Sequence, residues 1–383
     1  MSSQDLEAPL AASSGHAQAT VAAAKEQQKS RHIFNPTVDF LCLGGASIAI
    51  LPLMYFSPGT AHPALLAFAF IVADFVNHPH FAHSYQIFYR GYGDKIAGVN
   101  LNRSMQIRYL IAGIIVPVAM IVFFTAALLQ PTATMLGYGA NLMLFLVGWH
   151  YTKQGYGMLI VDSVFKKKFF SNKEKDLFRF NAYACWWLYW LFANEQISER
   201  TLWGLSYYSF DIPDSVLYAA MMFAAATSLA TLFVFGRKYL ADRHSLPLTG
   251  VMAYLVTLYI WVFGRLNPVV LIFIPALHSL QYLLIVWRFE INRTAAANKS
   301  AMSTQWRLAS FGATGIFLGY LGFWLVPKLL NGQVSYDQEM FGTVVFLFIF
   351  WIFINVHHYA IDNVIWRGEN PETRIYLFGP RPA

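Results

Sequence analysis

Imidazole is the side chain in this sequence with the most chemistry to offer, and most of it is gathered in four short patches. Of the 11 histidines, seven stand within apolar runs. The first patch is Asn77-His78-Pro79-His80-Phe81-Ala82-His83-Ser84-Tyr85-Gln86. The second is Trp149-His150-Tyr151-Thr152-Lys153-Gln154-Gly155, and the third is His278-Ser279-Leu280-Gln281-Tyr282. The fourth is Asn355-Val356-His357-His358-Tyr359-Ala360-Ile361-Asp362. Imidazole suits Fe, Cu and Zn, whereas Mg and Ca want more oxygen ligands. The candidate metal ligands are therefore His78, His80, His83, His150, His278, His357 and His358. Each patch adds Gln or Asp three or four residues beyond a histidine, the kind of group that holds the second nitrogen of a ligating ring or a bound water. Asp362, Gln86, Gln154 and Gln281 take that role, as does Asp74 for His78. Seven histidines exceed the needs of one ion, so either two ions bind or some rings serve in support.

At 3.6 residues per turn, His80, His83 and Gln86 share one helix face. His150 shares a face with Gln154, His278 with Gln281 and Tyr282, and His358 with Asp362 and Asn355. His78 and His357 diverge from these faces. Pro79 cannot donate its helical hydrogen bond, which predicts a kink beside His78, and Pro275 predicts a second one turn before His278.

The elements that must position these rings are membrane helices. The chain is 57% hydrophobic and 12% charged, where a soluble domain carries about 25% charged residues. A membrane helix needs about 20 largely apolar residues. Ten runs meet this: 38–56, 63–88, 109–129, 133–165, 178–193, 215–235, 248–265, 268–288, 308–327 and 341–366. Basic residues cluster in alternate loops. Arg90, Lys95, Arg103 and Arg108 follow the second run and Lys166, Lys167, Lys168, Lys173 and Lys175 the fourth. Arg237, Lys238 and Arg243 follow the sixth, and Arg288, Arg293, Lys299 and Arg307 the eighth. By the positive-inside rule both termini are then cytoplasmic. The expected fold is an all-α polytopic bundle. Residues 1–35 form a disordered cytoplasmic tail without a cleavable signal, 36–367 one transmembrane domain, and 368–383 a second cytoplasmic tail. The net charge of +7 belongs to these loops and not to a nucleic-acid surface. Cys42 and Cys185 read as core residues rather than a disulfide.

The histidine patches fall on the second, fourth, eighth and tenth runs, which all point the same way. In three of them the ring stands seven to ten residues before the first cytoplasmic arginine, roughly 10–15 Å below that surface at 1.5 Å per residue. A shared depth is what a common site requires. The pairs His83-Ser84-x-Gln86 and His278-Ser279-x-Gln281 also hint at an internal duplication.

With His80-x-x-His83 and the His357-His358 pair at the cytoplasmic ends of membrane helices, the chain resembles the membrane-bound histidine-box non-haem iron enzymes. These include fatty-acid desaturases and hydroxylases and the bacterial carotenoid-cleaving dioxygenases. The resemblance implies iron, here a di-iron pair, that activates O2 against a lipidic substrate, with electrons from a cytoplasmic donor. The expected function is an oxidoreductase of the bacterial inner membrane, with Cu or Zn as other occupants. Two alternatives remain: a transporter passing metal ions or protons along a histidine–aspartate relay, and a haem protein with bis-histidine ligation.

Overall fold

A bilayer core offers no water to backbone N–H and C=O groups, so each apolar run must satisfy its own, and the α-helix does so. In the computed structural model, residues 31–56, 62–196, 201–202, 205–206, 209–261, 268–297 and 301–379 are described. Residues 1–30 of the expected amino-terminal tail, the end of the seventh run at 262–265 and residues 380–383 lie outside them.

Each of the ten runs is largely helical where described, the tenth from Val345 on. The helices are α1 (Pro36–Pro52), α2 (Pro63–Tyr89), α3 (Arg103–Leu128), α4 (Thr134–Phe165) and α5 (Asn172–Gln196), followed by α6 (Asp214–Ala241), α7 (Leu248–Ile260), α8 (Pro268–Ala297), α9 (Ser303–Gln333) and α10 (Val345–Ile365). By length and composition five of them, α2, α3, α6, α9 and α10, can cross a membrane, and they mark the chain as an integral membrane protein. Their outward faces carry exposed apolar side chains such as Ile121, Leu229, Phe233 and Phe317. The one β feature among the described residues is a short antiparallel pair, Thr201–Leu202 with Leu205–Ser206. The architecture is an all-helical bundle.

Three prolines bend these helices in one way. Pro79, Pro117 and Pro327 each stand two residues past a five-residue π segment, at Ala73–Asn77, Ile111–Ile115 and Leu321–Leu325. A proline ring crowds the carbonyl four residues back. A wider turn just before it makes room without breaking the rod. The kink expected at Pro79 therefore takes the form of a π turn directly ahead of the histidines.

The four histidine helices are parallel neighbours, because their contact partners rise together in number. Along α2 and α8, Asn77 meets Ser279 and Arg90 meets Glu290. Along α4 and α8, His150 meets His278, Gln154 meets Gln281, and Phe165 lies under Arg288. Along α8 and α10, Tyr282 meets Asp362 and Phe289 meets Trp366. Their carboxyl-terminal ends share one charged layer. Glu290, 2% exposed, holds both Arg90 and Arg293. Lys95 pairs with Glu372 and donates to the terminal carbonyls of Ile87 and Phe88.

Described residues of both expected tails pack on the bundle. Ile33 is fully buried, and its backbone N–H, like that of Phe34, donates to Asp39 at 2.8 Å. The short helix Pro371–Tyr376 and Leu377 also dock on α8. The cause is Arg288, buried at the charged layer. Its guanidinium has five donors to satisfy, and it takes the carbonyls of Ile33 (2.6 Å) and Leu377 (2.8 Å), one from each end of the chain.

Helix α9 lies directly on the first histidine patch because two glycines permit it. A Cβ at Gly315 would fall 2.3 Å from the His83 ring, and one at Gly319 would fall 3.0 Å from the His78 backbone. Small residues four apart let membrane helices approach this closely.

Candidate metal centre

Four imidazoles and one carboxylate meet where α2, α4, α8 and α10 come together: His80, His150, His278, His358 and Asp362. All five are buried, none more than 6% exposed. Nε2 of His150 stands 3.1 Å from Nε2 of His278 and 3.9 Å from Oδ2 of Asp362. Nε2 of His358 stands 3.2 Å from the same oxygen. The His80 ring crosses that of His358 edge to face at 4.7 Å. Ligand atoms of His150, His358 and Asp362 all fall within 4.8 Å of one another.

The hydrogen bonds around the rings fix which nitrogens carry protons. The Ser84 hydroxyl donates to the Phe81 carbonyl at 2.7 Å. With its one proton spent, it accepts from His358 Nδ1–H at 2.6 Å. Nδ1 of His80 likewise donates to the Asn77 carbonyl at 2.5 Å. Each neutral ring is then left with a bare Nε2 lone pair, and that of His358 faces Asp362. The Tyr282 hydroxyl donates to Oδ1 of Asp362 at 2.7 Å and takes the indole N–H of Trp366 at 3.2 Å. That leaves Oδ2 facing the lone pair of His358. The atoms His80 Nε2, His358 Nε2 and Asp362 Oδ2 are buried without a hydrogen-bond partner. Acceptors that face one another in an apolar interior repel unless a cation or proton lies between them.

A metal ion fits this arrangement. Donors about 2.0–2.2 Å from one ion, at coordination angles between 90° and 140°, stand about 2.9–3.9 Å apart. Within the trio His150, His358 and Asp362, the separations of 3.2 and 3.9 Å lie in that range. The partners of the rings and the carboxylate are those expected around a ligand set. Ser84→Ala should free the His358 ring to turn and lower metal affinity roughly 10–100-fold. A chelator-competition titration measures this, and an unchanged affinity would remove the assigned tautomer.

The remaining histidines lie elsewhere. His78 stacks on Phe323 at 4.2 Å and its Nδ1 lies 3.1 Å from Asp74, which also accepts from the Trp324 indole. His83 stacks on Phe311 at 4.3 Å, with Gln86 beside it. His357 is satisfied on both nitrogens, by the Tyr85 hydroxyl and by the carbonyl of Ala112 in the second π segment. Gln154 donates to the His278 carbonyl and to Gln281, which in turn donates to the Leu43 carbonyl, so both brace helices and touch no ring nitrogen. Asp362, expected as an outer partner, has Oδ2 among the candidate ligand atoms. Of the repeated motif, His83 and His278 take different places, but Ser84 and Ser279 take the same one, each against a ring nitrogen of the cluster. These two serines escape a reading along one helix, because each serves a histidine on another. An apolar cavity of about 590 Å³ lies away from this cluster, between α1, α6 and α7.

No family model, curated protein or solved structure matches this chain.

Proposed function

We propose that the protein is a membrane oxidoreductase that uses one non-haem iron ion, held by His150, His358 and Asp362, to act with O2 on a lipidic substrate. The observation that carries this reading is the trio itself. Two imidazoles and one carboxylate from two helices face a common point, with the outer atoms of His358 and Asp362 held by hydrogen bonds. Two histidines with one carboxylate and open positions is the ligand set of non-haem Fe(II) oxygenases. Iron in such a set supplies O2 activation and one-electron chemistry. His278 and His80 stand beside the trio as further ligands or as donors to what binds in the open positions. A single carboxylate and one meeting point favour one ion over the pair expected from the number of histidines. The direct ring-to-ring packing favours a bare ion over haem, whose porphyrin must stand between its axial rings.

The chain's own residues account for the rest. Asp362 supplies negative charge that offsets the cation in an apolar interior. Ser84 and the Asn77 carbonyl hold two rings in the ligating tautomer. Phe81, Tyr151 and Tyr359 pack against the imidazoles and keep water out. The three helices α2, α8 and α10 place their histidines nine or ten residues before Arg90, Arg288 and Arg367, about 15 Å below the charged layer. A substrate reaching that depth comes from the bilayer. With all ten helices crossing, the charged layer and both termini face the cytoplasm of a bacterial inner membrane, where an electron donor can dock.

Detergent-purified protein should hold about one iron per chain and show no intense haem band. With a reductant and added lipid, it should consume O2. A haem spectrum, or a chain that stays metal-free and idle after iron loading, would end this reading.

A further inference from the structure

Lys153 takes no part in the metal set, yet it stands in the interior of α4 less than one turn beyond His150. Its ammonium donates to Oδ1 of Asn363 and lies 4.5 Å over the Trp149 ring. Neither partner is charged. The acid whose charge reaches it is Asp362, and both oxygens of Asp362 are turned towards Tyr282 and the histidines. The other charges acting on Lys153 are positive, Arg108 on α3 and Arg367 just past α10. A hydrogen bond of 3.0 Å from Asn370 to the Tyr109 hydroxyl ties those two segments together, and α10 packs on both α3 and α4. The Nε of each arginine is buried without a hydrogen-bond partner. The carboxylate paired with Arg367 is Glu369, 3.8 Å away and more than half exposed. Charges at membrane depth are retained where something pairs with them. Lys153 lies below the charged layer with the charges of Arg108 and Arg367 acting on it, and among the described residues no carboxylate forms an ion pair with it.

We propose that Lys153, Arg108 and Arg367 seat the oxyanion head of a single lipid, a carboxylate or a phosphate monoester. Guanidinium forks match both groups in shape, and the ammonium adds a point charge. Surface arginines attract phospholipid heads in general. Lys153 makes this a defined seat, because its partner Asn363 lies four residues, about 6 Å, inside Arg367. Exposed Ile107, Ile111 and Ile114 on α3, beside Arg108, give the hydrocarbon chain a track. Asn363 adjoins Asp362, so a head held here presents its nearest carbons to the metal set. That last step rests on the proposed function; the seat does not.

The test is binding of radiolabelled palmitate to the full-length protein in phosphatidylcholine nanodiscs. Palmitate should bind saturably, about one per chain. Lys153→Met and Arg108→Gln should each weaken it roughly tenfold, the loss of one charged hydrogen bond. Phosphatidate should compete, and methyl palmitate should not. Binding that survives both substitutions, or that methyl palmitate displaces equally, overturns the proposal. Displacement by inorganic phosphate at the same concentration assigns the seat to free anions and overturns the lipid. Repeating the titration on chelator-stripped protein shows separately whether the seat or the metal reading has failed.

Discussion

Alanine at His150 or His358 should take bound metal from about one ion per chain to none after dialysis, while alanine at His83 should leave it unchanged. The contrast follows from where the rings point. His358 turns a bare Nε2 to Asp362 at 3.2 Å, and His150 reaches the same oxygen at 3.9 Å. His83 instead lies flat on Phe311 under α9. Loss of an outer partner typically costs 10–100-fold in affinity, so loss of a ligand should cost at least ~100-fold. Asp362→Asn belongs with the first group, because an amide supplies no net charge to the ion. Elemental analysis of the variants beside the unsubstituted protein measures this. If His83→Ala lost metal while His358→Ala kept it, the meeting point would have to be elsewhere.

Glu290→Gln should be the most destabilising single change at the charged layer. Its carboxylate is 2% exposed and takes two bonds from Arg90 and two from Arg293. Glutamine keeps the volume but leaves two guanidinium groups without a counter-charge. Breaking a buried pair from one side costs 3–5 kcal/mol, and partial exposure of both arginines puts this case near the lower end, about 3 kcal/mol. Because α2 and α8 each bring a histidine to the cluster, their separation should also loosen metal binding. Thermal unfolding in detergent, followed with and without iron, tests both. An unchanged midpoint would mean that the arginines find other acceptors.

Much of this arrangement is legible in the sequence because a membrane simplifies the problem. Apolar runs and alternating basic loops place the helices, and matched spacing to Arg90, Arg288 and Arg367 places three histidines at one level. Angular position is less legible. His80 and His83 share a face in an ideal helix, yet only His80 meets the other rings, because α9 comes in over His83 through Gly315. His357 resembles a ligand by its neighbour His358, but the π turn in α3 offers it the Ala112 carbonyl. The role of Asp362 is readable in the sequence as to type but not as to place. Its i, i+4 spacing from His358 fits a supporting partner and a ligand equally, and the Tyr282 hydroxyl, by occupying Oδ1, leaves Oδ2 turned to His358. Contacts from one helix to another, such as Ser84 to His358, leave no periodic trace in either.

The wide turn at Ala73–Asn77 has a consequence for how α2 is wound. It contains one residue more than a regular turn needs, so the stretches before and after it keep independent angular phase. The leading half can therefore aim its phenylalanines at lipid while the trailing half turns an imidazole inward, and neither constrains the other. A chain shortened by one residue there would rotate the trailing half by about 100°, carrying His80 away from its partners without altering a single ligand.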